Sequence, residues 1–161
     1  MELGKQEEQA LNELKRKLEN AVKLGTPQPT GEIVMVTDSS ETGGGACLFQ
    51  WQTLNPEVLK DCHTQGVNAD GSLKHNYPND ATLTPLGNWN WKWNSTRQAY
   101  DTHQKELLSG VLTLRSQFRI VGRKILWLGD NSAVKSFLDG APPQNPRLRR
   151  WFVFLSQFPL T

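Results

Sequence analysis

The chain has 161 residues, of which 37% are hydrophobic and 21% charged, and its formal net charge is +2. This composition fits one folded domain and excludes a disordered tail. No apolar run approaches the ~18 residues of a membrane span, and the charged N-terminus lacks the apolar stretch of a signal peptide, so we expect no membrane partner. The two cysteines, Cys47 and Cys62, are too few to form a disulfide framework that stabilises the fold, and they favour a reducing compartment.

The positive charge is concentrated in the last quarter of the chain. Residues 120–161 hold six basic and two acidic side chains. Such a segment attracts polyanions such as nucleic acid, but a solvated helix face has the same composition. Both interpretations stay open on the sequence alone.

Residues 6–24 are predicted to form a helix, because apolar residues recur there at steps of three and four. Gly25, Pro27 and Pro29 end this helix and form a linker. The segment precedes the main domain and can belong to a neighbour in a longer protein.

Residues 32–38 form a β-branched run that predicts a buried strand, and residues 46–51 predict a second strand, so the two indicate a hairpin. The polar segment 52–88 is rich in Asn, Gly and Pro and predicts a long excursion with a short helix near 56–61. Residues 89–93 alternate tryptophan with polar residues, which predicts a half-exposed strand. Its tryptophans either stack on nucleic-acid bases or face the core.

Asp101 and Gln104 form a capping box for a helix that runs to about residue 118. Residues 124–130 predict another buried strand, and a short helix follows it up to Gly140. Asn145 is the predicted cap of a last helix, with Pro146 in its first turn. Strands mixed with helices in this order indicate a layered α/β or α+β fold.

Two of the predicted strands end in aspartate, Asp38 and Asp130. If the strands are parallel neighbours, both carboxylates emerge at the edge of the sheet where α/β proteins bind ligands. Glu106 is the third candidate, because small residues three, four and seven positions on allow its helix to approach a sheet closely. Aspartates after strands also simply cap loops, and that interpretation stays open.

Three converging carboxylates would repel each other, and a hard divalent cation removes that repulsion. Two such ions about 4 Å apart activate water and stabilise the leaving oxygen in phosphodiester cleavage. The acidic set therefore predicts a magnesium-dependent nuclease site, if the three residues meet.

Five segments of the chain carry a resemblance to one known family. TDSSETGGGA (37–46) resembles the segment T-D-A-S-D-x-G-x-G-A, and QKELLSGVLTL (104–114) resembles the helix E-K-E-L-L-A. LGDNSAVKSFL (128–138) is similar to the turn T-D-H-x-x-L, with asparagine in place of histidine, and 145–158 is similar to a segment with A-R-W-x-x-x-L. The family is the ribonuclease H domain of gypsy-type LTR retrotransposon polyproteins. Residues 9–24 resemble the helix that joins its polymerase region to this domain.

The resemblance implies an α/β fold: a ribonuclease H-like mixed five-stranded sheet flanked by helices, with an N-terminal joining helix. Residues 1–30 would be the joining helix and linker from the polymerase side, and 31–161 the ribonuclease H-like domain with an inserted loop at about 52–92. The family's fourth acid lies in a D-A-L-S-R-like segment that this chain does not reach, so we expect the domain to lack its C-terminal end.

The resemblance also implies a function. The expected activity is metal-dependent, endonucleolytic hydrolysis of the RNA strand of an RNA–DNA hybrid during reverse transcription. Asp38, Glu106 and Asp130 would be the catalytic residues and would hold two Mg²⁺ ions, for which Mn²⁺ can substitute. The expected partners are the hybrid and the polymerase domain of the same polyprotein, in a cytoplasmic retrotransposon particle or the nucleus.

Five further side chains are predicted to contact nucleic acid, and the sequence allows a structural role for each. The serines beside Asp38 can reach a phosphate or a 2′-hydroxyl, and the arginines share the last helix with aromatic residues. They are Ser39, Ser40, Arg147, Arg149 and Arg150.

Two other functions remain possible on the sequence. One is a non-catalytic, ribonuclease H-like connection module that binds the hybrid and packs on the polymerase. The other is an integrase- or resolvase-like nuclease of the same fold, which the joining helix disfavours.

Overall fold

The computed structural model describes residues 4–19, 24–117, 120, 122–129 and 132–161. Within these ranges the elements follow in this order: α1 Lys5–Glu19, β1 Ile33–Ser39, β2 Gly43–Gln52, a 3₁₀ helix Pro56–Leu59, β3 Thr64–Val67, β4 Leu73–His75, β5 Thr82–Lys92, α2 Ser95–Gln98, α3 Thr102–Ser116, β6 Ile125–Leu128, α4 Ser132–Asp139 and α5 Pro146–Leu155.

The main sheet is mixed and has four strands in the order β5-β2-β1-β6. β1 and β2 form the predicted antiparallel hairpin, and β1 pairs with β6 in parallel, with Ile33 opposite Ile125 and Val36 opposite Leu128. The family resemblance implies five strands. At the fifth position, beyond β6, the structure has a single parallel bridge between Leu160 and Ile125.

The helices cover one face of this sheet and enclose the larger core. α3 packs against β1 and β2 as well as against α4 and α5, and its apolar side is buried at Leu107, Leu108, Val111 and Leu114. Both predicted caps are confirmed: Asp101 accepts a hydrogen bond from the Gln104 amide, and Asn145 accepts from the amides that follow Pro146. These caps fix where α3 and α5 begin.

The segment predicted as one long excursion divides into three structures. The 3₁₀ helix is close to the predicted short helix, β3 and β4 form a small separate hairpin, and β5 joins the main sheet seven residues earlier than expected. Leu59 and Tyr77 from this segment pack with Val34 and Trp51 in a second core on the other face of the sheet. The segment is therefore an organised cover for part of that face.

The tryptophans at the end of β5, and Trp93 directly after it, belong to the core on the helix side. Trp93 is 1% exposed and donates its indole N–H to the Ser40 carbonyl at 3.1 Å. Trp89 and Trp91 are half-buried and pack against the same core. This placement supports the core interpretation over a base-stacking platform.

α1 confirms the predicted helix as far as Glu19, and residues 20–23 of the prediction lie outside the described residues. Two leucines of its apolar stripe are exposed, Leu11 at 39% and Leu14 at 54%. No helix among the described residues is long and apolar enough to cross a membrane.

A fully buried side chain, that of Gln50, makes the largest set of hydrogen bonds between the linker after α1 and the domain. The Gln50 amide is fully buried, and its Nε2 donates to the carbonyls of Gln28, Thr30 and Gly31 at 2.9–3.2 Å. Its Oε1 accepts from the Gln28 amide at 2.8 Å. Arg123 adds two bonds to the carbonyls of Gln28 and Gly31. The linker is thereby fixed against β2 and the segment before β6.

We predict that Gln50→Leu lowers the free energy of unfolding by about 2–3 kcal/mol, because the Gln28 amide and the Thr30 carbonyl lose their bond to Gln50, and the carbonyls of Gln28 and Gly31 keep only Arg123. Denaturant unfolding would measure the loss. Gln65→Leu, at an exposed position in β3, is the matched control and should change stability by less than about 0.5 kcal/mol. Equal effects of the two variants would contradict the proposed role of Gln50.

Candidate active site

Glu106 lies at the end of β1, although it is 67 residues away from Ser39 in the chain. Its side chain is only 1% exposed, and its Oε1 accepts a hydrogen bond from the Ser39 hydroxyl at 3.3 Å. Gly129, which follows β6, lies beside the other oxygen, because a Cβ built on Gly129 would be 3.3 Å from Glu106 Oε2. The carboxylate thus sits between the ends of the two parallel strands.

Close contact between α3 and the sheet makes this position possible. A Cβ on Gly44 of β2 would lie 2.5 Å from the Ser109 hydroxyl, and one on Gly110 would lie 2.2 Å from the Trp127 ring. Neither contact leaves room for a larger residue. Ser109 and Thr113 are fully buried and donate their hydroxyls to backbone carbonyls of α3. The expectation that small residues allow this close approach is confirmed.

Asp38 occupies the same strand end but is exposed. Side chains alternate along β1, so Thr37 and Ser39 face α3 while Val36 and Asp38 face the opposite side. Asp38 pairs with Gly45 and lines an open cavity of about 500 Å³. The structure therefore brings Ser39 into contact with Glu106. The carboxylate of Asp38, the residue directly before Ser39, is accessible to solvent.

Asp130, the third predicted acid, lies outside the described residues. Its neighbour Gly129 is described and lies next to the Glu106 carboxylate. Among the residues that the structure covers, no group of three or more His, Cys, Asp and Glu side chains is placed to hold a metal ion. The donors present near Glu106 are carboxylate and hydroxyl oxygens, which is the chemistry that a hard cation such as Mg²⁺ prefers. The chemistry of these donors suits such an ion, and the metal site formed by the three acids stays a prediction.

Ser40 closes the turn between β1 and β2. Its hydroxyl donates to the Gly43 carbonyl at 3.2 Å and accepts from the Gly43 amide at the same distance. Ser40 is also exposed, so a contact with nucleic acid stays a prediction alongside this turn role.

The three arginines of α5 have different environments. Arg147 is half-buried: its guanidinium lies 4.0 Å from the centre of the Tyr100 ring and donates to the Gln104 side chain at 3.2 Å. Arg149 and Arg150 are exposed. Arg147 therefore joins α5 to the start of α3, and the contact of the three arginines with nucleic acid stays a prediction.

Sequence reasoning missed two residues that shape the site. Lys105 is only 7% exposed and donates to the Glu41 carbonyl at 3.3 Å, so it attaches α3 to the β1–β2 turn. Trp127 donates its indole N–H to the Thr37 hydroxyl at 2.8 Å. The position of Lys105, directly before Glu106 on the buried side of a helix, was a signal that sequence reasoning could have used. Nothing local in the sequence indicates the contact of Trp127.

Residues 3–60 match the family model described as an RNase H-like domain found in reverse transcriptase, which is about a third of the chain. No curated protein matches the sequence. Among solved structures, the chain is similar to the foamy viral protease-reverse transcriptase in complex with RNA/DNA hybrid, at 13% identity and a TM-score of 0.56, over 99% of this chain and 19% of that one. The chain has a ribonuclease H fold.

Two further structures of the foamy viral enzyme agree. Its dRH form in complex with double-stranded DNA has 13% identity, a TM-score of 0.56 and coverage of 99% of this chain and 24% of that one. The native enzyme of prototype foamy virus has 14% identity, a TM-score of 0.55 and coverage of 99% and 19%. The chain thus spans about a fifth of these reverse transcriptases. The family match and the fold together support a ribonuclease H domain from a retroelement polyprotein, and the gypsy type stays a prediction.

We predict that Arg147→Ala lowers the free energy of unfolding by about 1–2 kcal/mol, through loss of the contacts with Tyr100 and Gln104. Arg149→Ala is the matched control on the same helix and should change stability by less than about 0.5 kcal/mol. Thermal or denaturant unfolding of both variants would measure this difference, and a neutral Arg147→Ala would contradict the packing role.

Proposed function

We propose that this chain is the ribonuclease H domain of a gypsy-type LTR retrotransposon polyprotein and cleaves the RNA strand of an RNA–DNA hybrid during reverse transcription. The observation that carries the proposal is the position of Glu106. A carboxylate that is 1% exposed reaches the ends of two parallel strands, next to Ser39 and Gly129. Each of these residues is the chain neighbour of a predicted acid, Asp38 or Asp130. Burying a carboxylate is costly, so its placement at the ligand-binding edge of the sheet favours a functional role.

In this proposal Asp38, Glu106 and Asp130 hold two Mg²⁺ ions, or Mn²⁺ in their place. The ions, when bound, activate water and stabilise the charge that develops on the scissile phosphate. Ser39 orients the Glu106 carboxylate through its hydrogen bond. The exposed side of Asp38 leaves the same strand end open to a substrate from solvent.

The substrate is proposed to be held mainly through its phosphates. Arg149 and Arg150 are exposed on α5, and Ser39 and Ser40 directly follow Asp38, where they would contact a 2′-hydroxyl, the group that distinguishes RNA from DNA. The foamy viral enzyme was solved with an RNA/DNA hybrid, which supports a hybrid as ligand here. A polymerase domain of the same polyprotein is the proposed partner, in a cytoplasmic particle or the nucleus.

A connection module without catalytic activity is the second candidate. It is favoured by the alternation along β1, which directs Ser39 rather than Asp38 towards Glu106. A module of this kind would still bind the hybrid but would have no use for a metal.

We predict that this chain, supplied with Mg²⁺ or Mn²⁺, cuts the RNA of a hybrid slowly and that Asp38→Asn and Asp130→Asn each reduce the rate at least about a hundredfold. Asparagine keeps the shape of aspartate but loses the charge that holds a hard cation, and the metal contributes several kcal/mol to the transition state. Cleavage of a labelled hybrid measures the rate. Asp139→Asn, an exposed carboxylate at the end of α4, is the control and should cut normally.

The same assay separates the two candidates. A chain that binds the hybrid but cuts it with neither metal is the connection module. A chain that cuts equally well after Asp38→Asn or Glu106→Gln has its active site elsewhere.

We predict that hybrid binding weakens with rising salt, and that replacing Arg149 and Arg150 with alanine reduces the slope of log affinity against log salt by up to about 2. For each phosphate contact that is lost, binding releases about one counterion fewer from the nucleic acid. Titrations at several salt concentrations measure the slope. The matched control replaces Lys60 and Lys74, two exposed lysines of the segment between β2 and β5. An equal change of slope in this control would show that the slope depends on the net charge of the chain and not on Arg149 and Arg150.

A further inference from the structure

Trp127, in β6, contacts both structures that carry the described acids of the candidate site. Its indole N–H donates to the Thr37 hydroxyl at 2.8 Å, and Thr37 directly precedes Asp38 in β1. Its six-membered ring lies over Gly110 of α3, where a Cβ would be only 2.2 Å away. Gly110 is four residues after Glu106 and therefore lies on the same side of the helix. One side chain thus connects the strand of Asp38 with the helix of Glu106.

The hydrogen-bonded partner of Trp127 is well fixed. Thr37 is 4% exposed and pairs with Ala46 in the middle of the sheet, so its hydroxyl has a defined position. A hydrogen bond between a buried hydroxyl and an indole restrains the ring in both distance and direction. Because the ring also touches Gly110, this restraint is passed on to the distance between β1 and α3.

Trp127 is half-buried, packs against the helix-side core and lines a cavity of about 740 Å³ between β6, α4 and α5, together with Gly129, Val134 and Phe152. The bond to Thr37 and the contact with Gly110 are the interactions that connect its ring to the strand and the helix of the acids.

We propose that Trp127 is a positioning residue of the metal site, which sets the separation between the Asp38 strand end and the Glu106 carboxylate. This inference rests on the proposed function, because it assumes that the two acids bind metal together. Trp127 touches neither the ion nor the substrate. Its loss should therefore weaken metal binding while the fold and the acids remain.

The test measures Mn²⁺ binding to the purified chain by electron paramagnetic resonance, and counts only the binding that Asp38→Asn removes. Trp127→Phe keeps a ring but loses the N–H, and Thr37→Val keeps the shape but loses the acceptor. Each should raise the Mn²⁺ dissociation constant about three- to tenfold, as expected for one buried hydrogen bond. The double variant should bind no more weakly than either single variant, because both remove the same bond. Thr37→Ser keeps the hydroxyl that Thr37→Val removes, so its Mn²⁺ dissociation constant should equal that of the unaltered chain.

Matched controls separate positioning from stability. Trp151→Phe changes a buried tryptophan of α5, and Thr53→Val changes a buried threonine directly after β2, at the end of that strand remote from Asp38, whose hydroxyl donates to Asp80. Both should lower the melting temperature without changing Mn²⁺ affinity. In cleavage assays Trp127→Phe should raise the metal concentration needed for half-maximal rate and leave the hybrid KM unchanged.

Three outcomes decide the matter. Weaker metal binding in Trp127→Phe and Thr37→Val, with rescue by Thr37→Ser, supports the proposal. Normal affinity in both variants of a chain that does bind Mn²⁺ overturns it and leaves the proposed function intact. A chain whose unaltered form binds no Mn²⁺ at Asp38 overturns the proposed function and the positioning role together.

Discussion

The close packing of α3 on the sheet is the constraint on which the candidate site depends. Glu106 lies on the buried side of this helix, and removing a carboxylate from water costs several kcal/mol unless polar partners compensate. The apolar residues that follow it, Leu107, Leu108 and Val111, offset that cost by burying their own surface against the core. Their packing is effective only because the glycines of β2 and α3 let the helix axis come close. The acid is thus held by hydrophobic contacts that have no chemical role.

The two faces of the sheet are covered to different extents. The helix face is a continuous core, while the opposite face is covered only in part, by Leu59 and Tyr77 against Val34 and Trp51. This cover lies over the part of β1 that is far from Asp38. Val36, in the next outward position, is already 38% exposed. The segment between β2 and β5 therefore stabilises one half of the sheet and leaves the site half open to solvent.

Local signals predicted much of this fold. The β-branched run of β1 and the caps at Asp101 and Asn145 follow from patterns within a few residues, whereas the parallel pairing of β1 with β6 was only a condition of the sequence analysis. β5 was placed too late because Pro85 and Gly87 interrupt its first half, and both residues normally argue against a strand. Proline is tolerated there because β5 is at the edge of the sheet, where the register also shifts between Leu48 and Phe49. The bond from Trp127 to Thr37 joins residues 90 positions apart, and no local pattern encodes such a contact.

The linker and the candidate site lie at opposite ends of β1. Gln50 and Arg123 hold residues 28–31 just before Ile33, whereas Asp38 and Ser39 lie at the other end of the strand. A strand rises roughly 3.3 Å per residue, so about 17 Å separates Ile33 from Asp38 along the sheet. A flexible linker would leave the position of a preceding domain undefined, but this one is hydrogen-bonded to the domain before the first strand starts. Residues 28–31 are therefore attached at the end of the sheet that is remote from the acids, through β2 and the segment before β6.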